Sequence, residues 1–363
     1  MSSYFVNRWD RVEKNKGKTI QIALAGQPNV GKSVIFNQLT GMNQVVGNWP
    51  GKTVKKAEGF TLFQNYKFNI IDLPGIFSLT TDSLEEIVSR EYIVEEDPDY
   101  IVNVLDANQL ERNLYLSLQL FLLERPVILV LNQYDILRER GYEIDAEVLE
   151  KELGIPVVKS VAVHNRGVHE ILEKIIELEE TGKKVKPLEI EFGKEIEVVI
   201  EDLIKKMESS GFKSREPPRF FAQKVLENDR NCVEQLQVCY DETEDVNEEL
   251  VQDIRDKREH LEEYHGHDIS EIFNGEYYQK SSHIVDKAQI LEKQTKKNKV
   301  QNFFDHLTVH SVWGYVFLAM VLLGSYLFVF WLGDLISTGL DLVYENWTNA
   351  VLTNWDPESW KYR

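Results

Sequence analysis

The stretch GQPNVGKS, Gly26 to Ser33, places two glycines, a lysine and a hydroxyl in the spacing G-x-x-x-x-G-K-S, between an apolar run, IQIALA, and a helix-like run, VIFNQL. Glycines let successive backbone N–H groups curl around an anion. In that geometry Lys32 meets the β- and γ-phosphates of a nucleotide and the Ser33 hydroxyl ligates Mg²⁺. A second group follows the next strand-like run. In DLPG, Asp72 to Gly75, an aspartate can hold the magnesium through water and a glycine amide can sense the γ-phosphate. NQYD, Asn132 to Asp135, ends a later run, and the Asp135 carboxylate can accept from guanine N1–H and its exocyclic amine, which adenine does not match. After the last run comes SVA, Ser160 to Ala162, where a backbone amide can meet guanine O6. In this order the motifs describe a small domain that selects GTP.

The elements that must carry these loops are legible in the hydrophobic pattern. IQIALAG, KFNIIDLPG, YIVNVLDA, PVILVLNQYD and IPVVKSVA read as buried strands, and SVIFNQL, LYLSLQLFLLE and GVHEILEKIIELEE as amphipathic helices between them. That alternation predicts an α/β fold, a parallel-rich sheet with helices on both faces, over residues 19–182, preceded by a variable arm over 1–18. Gly, Lys and Pro in TGKKVKPLEIEFG break the pattern, and 183–280 then reads as a small all-α domain through segments such as EIEVVIEDLIKKM and RFFAQKVLE. The acidic run DETEDVNEEL reads as a solvated face.

A linker helix is expected over 281–310. Residues 311–333, SVWGYVFLAMVLLGSYLFVFWLG, carry no charge and are long enough for one transmembrane helix, with 334–363 as an extracytoplasmic tail. Lys293, Lys296, Lys297 and Lys299 precede the span and Asp334, Asp341 and Glu345 follow it, which predicts a cytoplasmic N-terminal side. The same lysine-rich flank could rest on anionic lipid. The N-terminus lacks an apolar run of signal-peptide length, so the chain is expected to start in the cytosol.

Composition narrows the functions further. In the 363 residues, 60 acidic side chains oppose 41 Lys and Arg, a formal charge of -19, which disfavours nucleic acid as a partner and with it a ribosome- or tRNA-associated GTPase. Cys232 and Cys239 lie on one helical stretch, roughly 10 Å apart along its axis, too far for a disulfide within it; they read as reduced thiols. His260, His265, His267 and His283, with Glu262, Glu263 and Asp268, are chemically suited to Fe(II), but their spacing fits no established ligand pattern.

Three pieces together, GQPNVGKSVIFNQLTG, VGNWPGKTVKKAEG and DLPGIFSL, closely resemble the G domain of FeoB-type ferrous iron transporters of prokaryotes; NWPGKTV is the most specific of them. FGKEIEVVIEDLIKKM and RFFAQKVLEND resemble that family's helical domain, which acts as a guanine-nucleotide dissociation inhibitor, and FFDHLTVHSVWGYVFLAMV resembles the entry to its first membrane helix.

The resemblance implies nucleotide contacts from Gly26, Gln27, Pro28, Asn29, Val30, Gly31, Lys32 and Ser33, and from Gly51, Lys52, Thr53, Val54 and Lys55. It adds Asp72, Leu73, Pro74 and Gly75, then Asn132, Gln133, Tyr134 and Asp135, and finally Ser160, Val161 and Ala162. Catalysis would fall to Asn29, Lys32, Thr53 and Gly75. Thr53 would complete a magnesium shell begun by Ser33 and Asp72, and Asn29 would bind K⁺ against the phosphates, doing the work of an arginine finger; a turn-capping asparagine without an ion is the alternative.

Ile76, following DLPG, cannot orient a water, so slow hydrolysis is expected. Val161 stands where the family prefers serine, which removes side-chain help at guanine and points to weak nucleotide affinity. The family also carries a polytopic permease region that has no counterpart in these 363 residues. One helix cannot line a polar path, so a permease portion on another chain, small accessory proteins, membrane lipid and a homo-oligomer are the partners expected at the inner membrane. A membrane-tethered regulatory GTPase without transport is the competing reading.

Overall fold

The computed structural model describes residues 18–81, 83–242, 246–291, 308 and 313–353, in two compact units, Met1–Glu292 and Lys293–Arg363. In the first, β1 (Thr19–Gly26), β4 (Tyr66–Asp72), β5 (Tyr100–Asp106), β6 (Val127–Asn132) and β8 (Val157–Lys159) run parallel, with β4 and β5 flanking β1. At the β4 edge, β3 (Lys55–Phe63) and then β2 (Gln44–Asn48) add antiparallel, completing the order β2-β3-β4-β1-β5-β6-β8. Every residue of β5 and β6 is buried, which is why both read as mostly apolar runs, interrupted in β5 by Asn103. The β2–β3 hairpin escapes that signal because four of the five β2 residues are exposed.

Helices α1 (Lys32–Thr40) and α6 (Val168–Thr181) cover one face of the sheet. The other face holds α2 (Leu84–Glu95) and α3 (Leu110–Phe121). Ser83 caps α2 through a capping box with Glu86, the S-x-x-E signature that marks a helix start even where the apolar stripe is thin. Nearly all sides of α3 are buried, because it is packed between the sheet and a second layer of helices.

That layer follows α4 (Tyr134–Glu139), β7 (Tyr142–Ile144) and α5 (Ala146–Leu153). It comprises α7 (Lys194–Ser210), α8 (Pro218–Leu226), α9 (Arg230–Glu242), α10 (Val246–His265) and α11 (Ile269–Ala288). Phe192, Phe220, Phe273 and Tyr277 join the same continuous core as α3, so the helical layer has no separate hydrophobic centre. Burying each such ring contributes about 1.5–3 kcal/mol.

The boundary expected at residue 280 falls inside α11. Its buried residues, Ile269, Phe273, Tyr277, Ser281, Ile284 and Ala288, recur every three or four positions straight through that point, so nothing stops the helix there. It ends instead on β9 (Gln289–Leu291), which pairs antiparallel with β7. The rest of the expected linker, and the lysine-rich flank, lies outside the described residues apart from Thr308, as does the arm before Lys18.

In the second unit, α12 (Trp313–Thr353) is one helix of 41 residues. Within Gly314–Asn349, its most apolar 18-residue window has mean hydropathy 2.2 and no buried residue. Residues 334–353, expected to form a tail, continue this helix: Asp334, Asp341 and Glu345 are compatible with helical geometry, and no proline interrupts it.

Candidate functional site

The four motif loops meet at the C-terminal ends of the parallel strands. β1 hands the chain to Gln27–Gly31 and thence to α1, with Asn29 at φ 68° and Gly31 at φ 91°. A side chain at position 31 would run into the Asn132 amide, so glycine is required both by the left-handed backbone and by the close approach. Leu24 and Asp72 are register partners on β1 and β4, which brings the two loops side by side. The Leu73 amide donates to Leu24 O at 3.1 Å and that of Ile76 to Gly26 O at 3.2 Å, stitching DLPG onto the phosphate loop.

Lys32 Nζ donates to Asp72 Oδ1 and to the Leu73 carbonyl, and Ser33 Oγ donates to Asp72 Oδ2 at 2.7 Å. Ammonium, hydroxyl and carboxylate thus converge at the first turn of α1, where unpaired helix N–H groups favour an anion. Ser33 and Asp72 present the hard oxygen donors that magnesium takes. Gly75 packs on Pro28, where a Cβ would sit 3.1 Å from Cα. Ile76 is buried, so its side chain faces the core and away from any attacking water.

Asn132 lashes three loops together. Its Nδ2 donates to Val30 O at 2.8 Å, and its Oδ1 accepts from Ser160 Oγ at 3.1 Å and from the Ala162 amide at 3.0 Å. Gln133, in the left-handed region, donates from Nε2 to Asn29 O at 3.2 Å. The Tyr134 hydroxyl donates to Ile144 O at 3.0 Å and accepts from its amide at 3.2 Å, fixing the loop to β7, while Lys159 lies 4.7 Å over the Tyr134 ring. Asp135 sits half-buried in the first turn of α4.

One expectation needs correction. The amides of Ser160, Val161 and Ala162 already donate to Leu131 O, Arg166 O and Asn132 Oδ1, so guanine O6 can take an amide here only by sharing the donor.

Gly51 to Lys55 stand apart from this cluster. Gly51 to Val54 form the turn between β2 and β3, closed by the Trp49 amide donating to Val54 O at 2.9 Å, with Thr53 exposed, and Lys55 opens β3. The turn leans on α2: Lys52 pairs with Glu91, and Trp49 meets Tyr92 edge-on, ring centroids 5.5 Å apart. Among the described residues, no three His, Cys, Asp or Glu side chains converge to hold a metal, the histidine-rich stretch of α10 and α11 included.

A buried charge cluster linking α2 to the helical layer has no motif to announce it. Arg90, 2 % exposed, donates to Glu216 from Nη2 at 2.7 Å and from Nε at 3.2 Å, to Asp229 Oδ1 from Nη1 at 2.9 Å, and to Cys232 Sγ at 2.9 Å. Burial works against the charge of Arg90, but the Asp229 and Glu216 carboxylates beside it hold its pKa above the usual arginine value. Burial likewise pushes the Cys232 thiol up, against the pull of Arg90, which keeps it protonated and unreactive. Thr81, just past DLPG, also donates to Asp229, at 3.2 Å. The available signal was a charged residue in step with Glu86 and Ile93 on the buried face of a helix.

The chain matches the family model described as ferrous iron transport protein B over residues 20–175 and the FeoB cytosolic helical domain over 192–290. It is 40% identical over 220 residues to the Fe(2+) transport protein A/Fe(2+) transporter FeoB fusion protein of Porphyromonas gingivalis, covering 60% of this chain and 26% of that one. It is 36% identical over 246 residues to the Fe(2+) transporter FeoB of Legionella pneumophila, covering 65% and 32%. The chain therefore spans no more than about a third of these relatives' length. Among solved structures, the apo cytosolic domain of T. maritima FeoB is similar at TM-score 0.63 and 31% identity, covering 75% of this chain and 100% of that one. A GDP-bound mutant of the S. thermophilus FeoB G-domain is similar at TM-score 0.66 and 33% identity, with 75% and 100% covered.

Proposed function

The chain belongs to the FeoB family of ferrous iron transport proteins, and from that premise we propose that its first unit is the cytosolic GTPase part of an Fe(II) uptake system, coupling nucleotide state to transport across the membrane. The observation that carries this reading is the tie made by Asn132, which holds the phosphate loop, the NQYD loop and the SVA loop in one frame. A frame of that kind serves a ligand that spans all three, with phosphates at one end and a base at the other.

Each residue has a task in this scheme. Lys32 exchanges Asp72 for the β- and γ-phosphates, and the N–H groups of Asn29 to Ser33 line the anion. Asp135 selects guanine. Ser33, Asp72 and Thr53 would hold magnesium, which neutralises charge on the phosphates. Thr53 reaches that position only when its turn leaves α2. Asn29, exposed at the left-handed corner of the loop, would hold a potassium ion. Gly75 senses the γ-phosphate through its amide. With Ile76 buried, no side chain at that position orients water, so turnover is slow.

The strand-to-α2 segment supports the coupling. Residues after DLPG lead through Thr81 to Asp229, and α2 carries Arg90 into the helical layer, so a shift of this segment is felt at Glu216 and Asp229. In the same reading α12 spans the inner membrane, the first unit lies on the cytoplasmic side, and a permease portion with small accessory proteins completes the path for iron.

GTP turnover measured in potassium and in sodium, with Asn29→Ala alongside, tests the ion proposal: faster turnover in potassium, lost in the variant, is expected, and equal rates would remove it. Binding of GDP and ADP tests the larger reading, which equal affinities would overturn.

A further inference from the structure

A cavity of 480 Å³ lies beside the switch turn, walled by Trp49 and Lys52 of the β2–β3 turn, Asn69 and Ile71 of β4, and Val88 and Tyr92 of α2. Two buried atoms of the lining residues have no hydrogen-bond partner: Trp49 Nε1 and Asn69 Oδ1. An indole can only donate and an amide oxygen only accept, so an occupant that satisfies both must bring an acceptor and a donor. Leaving such atoms unpaired is costly, and a ligand that pairs them recovers that cost.

Charge defines the occupant further. Around the rim, Lys52 is neutralised by Glu91, Lys56 by Glu58 at 2.9 Å, and Glu95 meets Arg215 at 3.3 Å; Glu96 makes no ion pair among the described residues. The carboxylates are in excess over aromatic and aliphatic walls. A guanidinium on an aliphatic stem matches this lining, with a main-chain carbonyl beside it to accept from Trp49.

The chain itself supplies such a group within reach. Gln21, the third residue of β1, also lines the cavity, and the preceding residues 1–17 carry Arg8, Arg11, Lys14 and Lys16 against Asp10 and Glu13. Arg11 lies seven residue steps before Lys18, a reach of roughly 23 Å when extended. A short tether of this kind gives an effective concentration on the order of millimolar.

We propose that this cavity is a docking site for an arginine of the chain's own N-terminal segment, Arg8 or Arg11, and that docking holds the Thr53 turn on α2 and so restrains GTP turnover. The regulatory half rests on the GTPase reading above; the docking half does not.

The test uses the full chain in detergent. Arg8→Glu/Arg11→Glu should raise GTP turnover about threefold, within the range of an exposed ion pair. Glu96→Arg should do the same, and the combination should return turnover to the starting rate. Independently of nucleotide, Arg11→Cys with Glu96→Cys, in a Cys239→Ser background, should form an intramolecular disulfide under mild oxidation. Unchanged turnover in the charge variants with no disulfide would overturn the proposal. A disulfide formed only between chains, rising with protein concentration, would give the cavity to a second copy and overturn it as well. An intramolecular disulfide in a chain that binds no guanine nucleotide would support docking and remove the GTPase reading instead.

Discussion

Replacing Arg90 with methionine keeps much of the aliphatic stem and removes the cation that faces Glu216 and Asp229. Their side chains are 6 % and 3 % exposed, so water cannot take over the role of the guanidinium. Glu216 would keep its bond from Gln235 Nε2 at 2.9 Å and Asp229 its bond from the Cys232 amide at 3.2 Å, but both charges would stay buried without a counter-ion. Removing one partner of such a pair costs about 3–5 kcal/mol. Against a total stability of about 5–15 kcal/mol, that is a large fraction. At roughly 2–4 °C per kcal/mol, the melting temperature should fall by roughly 6–20 °C. Thermal unfolding of the full chain in detergent, followed by circular dichroism, reads this directly. The decisive control is the triple variant Arg90→Met/Glu216→Gln/Asp229→Asn, which leaves no charge buried and should recover at least half of the loss. A fall below about 3 °C, within the effect of roughly 1 kcal/mol, or a triple variant no more stable than the single one, would refute the reasoning.

Gly31→Ala forces a Cβ onto the Asn132 amide and should reduce nucleotide affinity by more than about tenfold, the equivalent of about 1.4 kcal/mol; titration calorimetry with GDP measures it. Asn132→Ala leaves Val30 O and the Ala162 N–H without their partner, each worth about 1–3 kcal/mol, so stability and GDP affinity should fall together; affinity loss without destabilisation would contradict the role given to it. The Tyr92 hydroxyl is pushed up to about 12, by burial first and then by Glu96 and Glu58. Its folded value lies above the unfolded one of about 10, so its contribution is complete below pH 10 and is lost as pH rises from about 10 to about 12. Urea unfolding across that window should show a shallower loss for Tyr92→Phe than for the unchanged chain, and identical slopes would count against it.

The parts of the fold that were legible in the sequence are those whose physics is local. β5 and β6 are buried on both faces and so are mostly apolar, with Asn103, Asp106 and Asn132 as buried polar exceptions, and Gly31 of the phosphate loop is marked by its left-handed backbone. The β2–β3 hairpin was not visible because Gln44–Asn48 is a mostly exposed edge and carries little alternation. Arg90 was hidden for a different reason: a charged residue on a buried helical face becomes intelligible only once Glu216 and Asp229, more than a hundred positions away, are seen beside it. Ala162 illustrates a third limit, since a motif names the loop but not which acceptor its amide has already taken. The end of the helical layer shows only in the packing: Ser281, Ile284 and Ala288 keep the buried face unbroken through residue 280.

The β7–β9 pair ties the end of the first unit back onto the strand beside the NQYD loop. Any tension carried by the chain beyond Leu291 enters the first unit at the Tyr142–Leu291 pair and is resisted in turn by Glu143–Ile290 and Ile144–Gln289. The last of these residues on the β7 side, Ile144, is the one that grips the Tyr134 hydroxyl through both its amide and its carbonyl. A pull on that end of the chain would therefore reach, through Ile144, the Tyr134 hydroxyl next to Asp135.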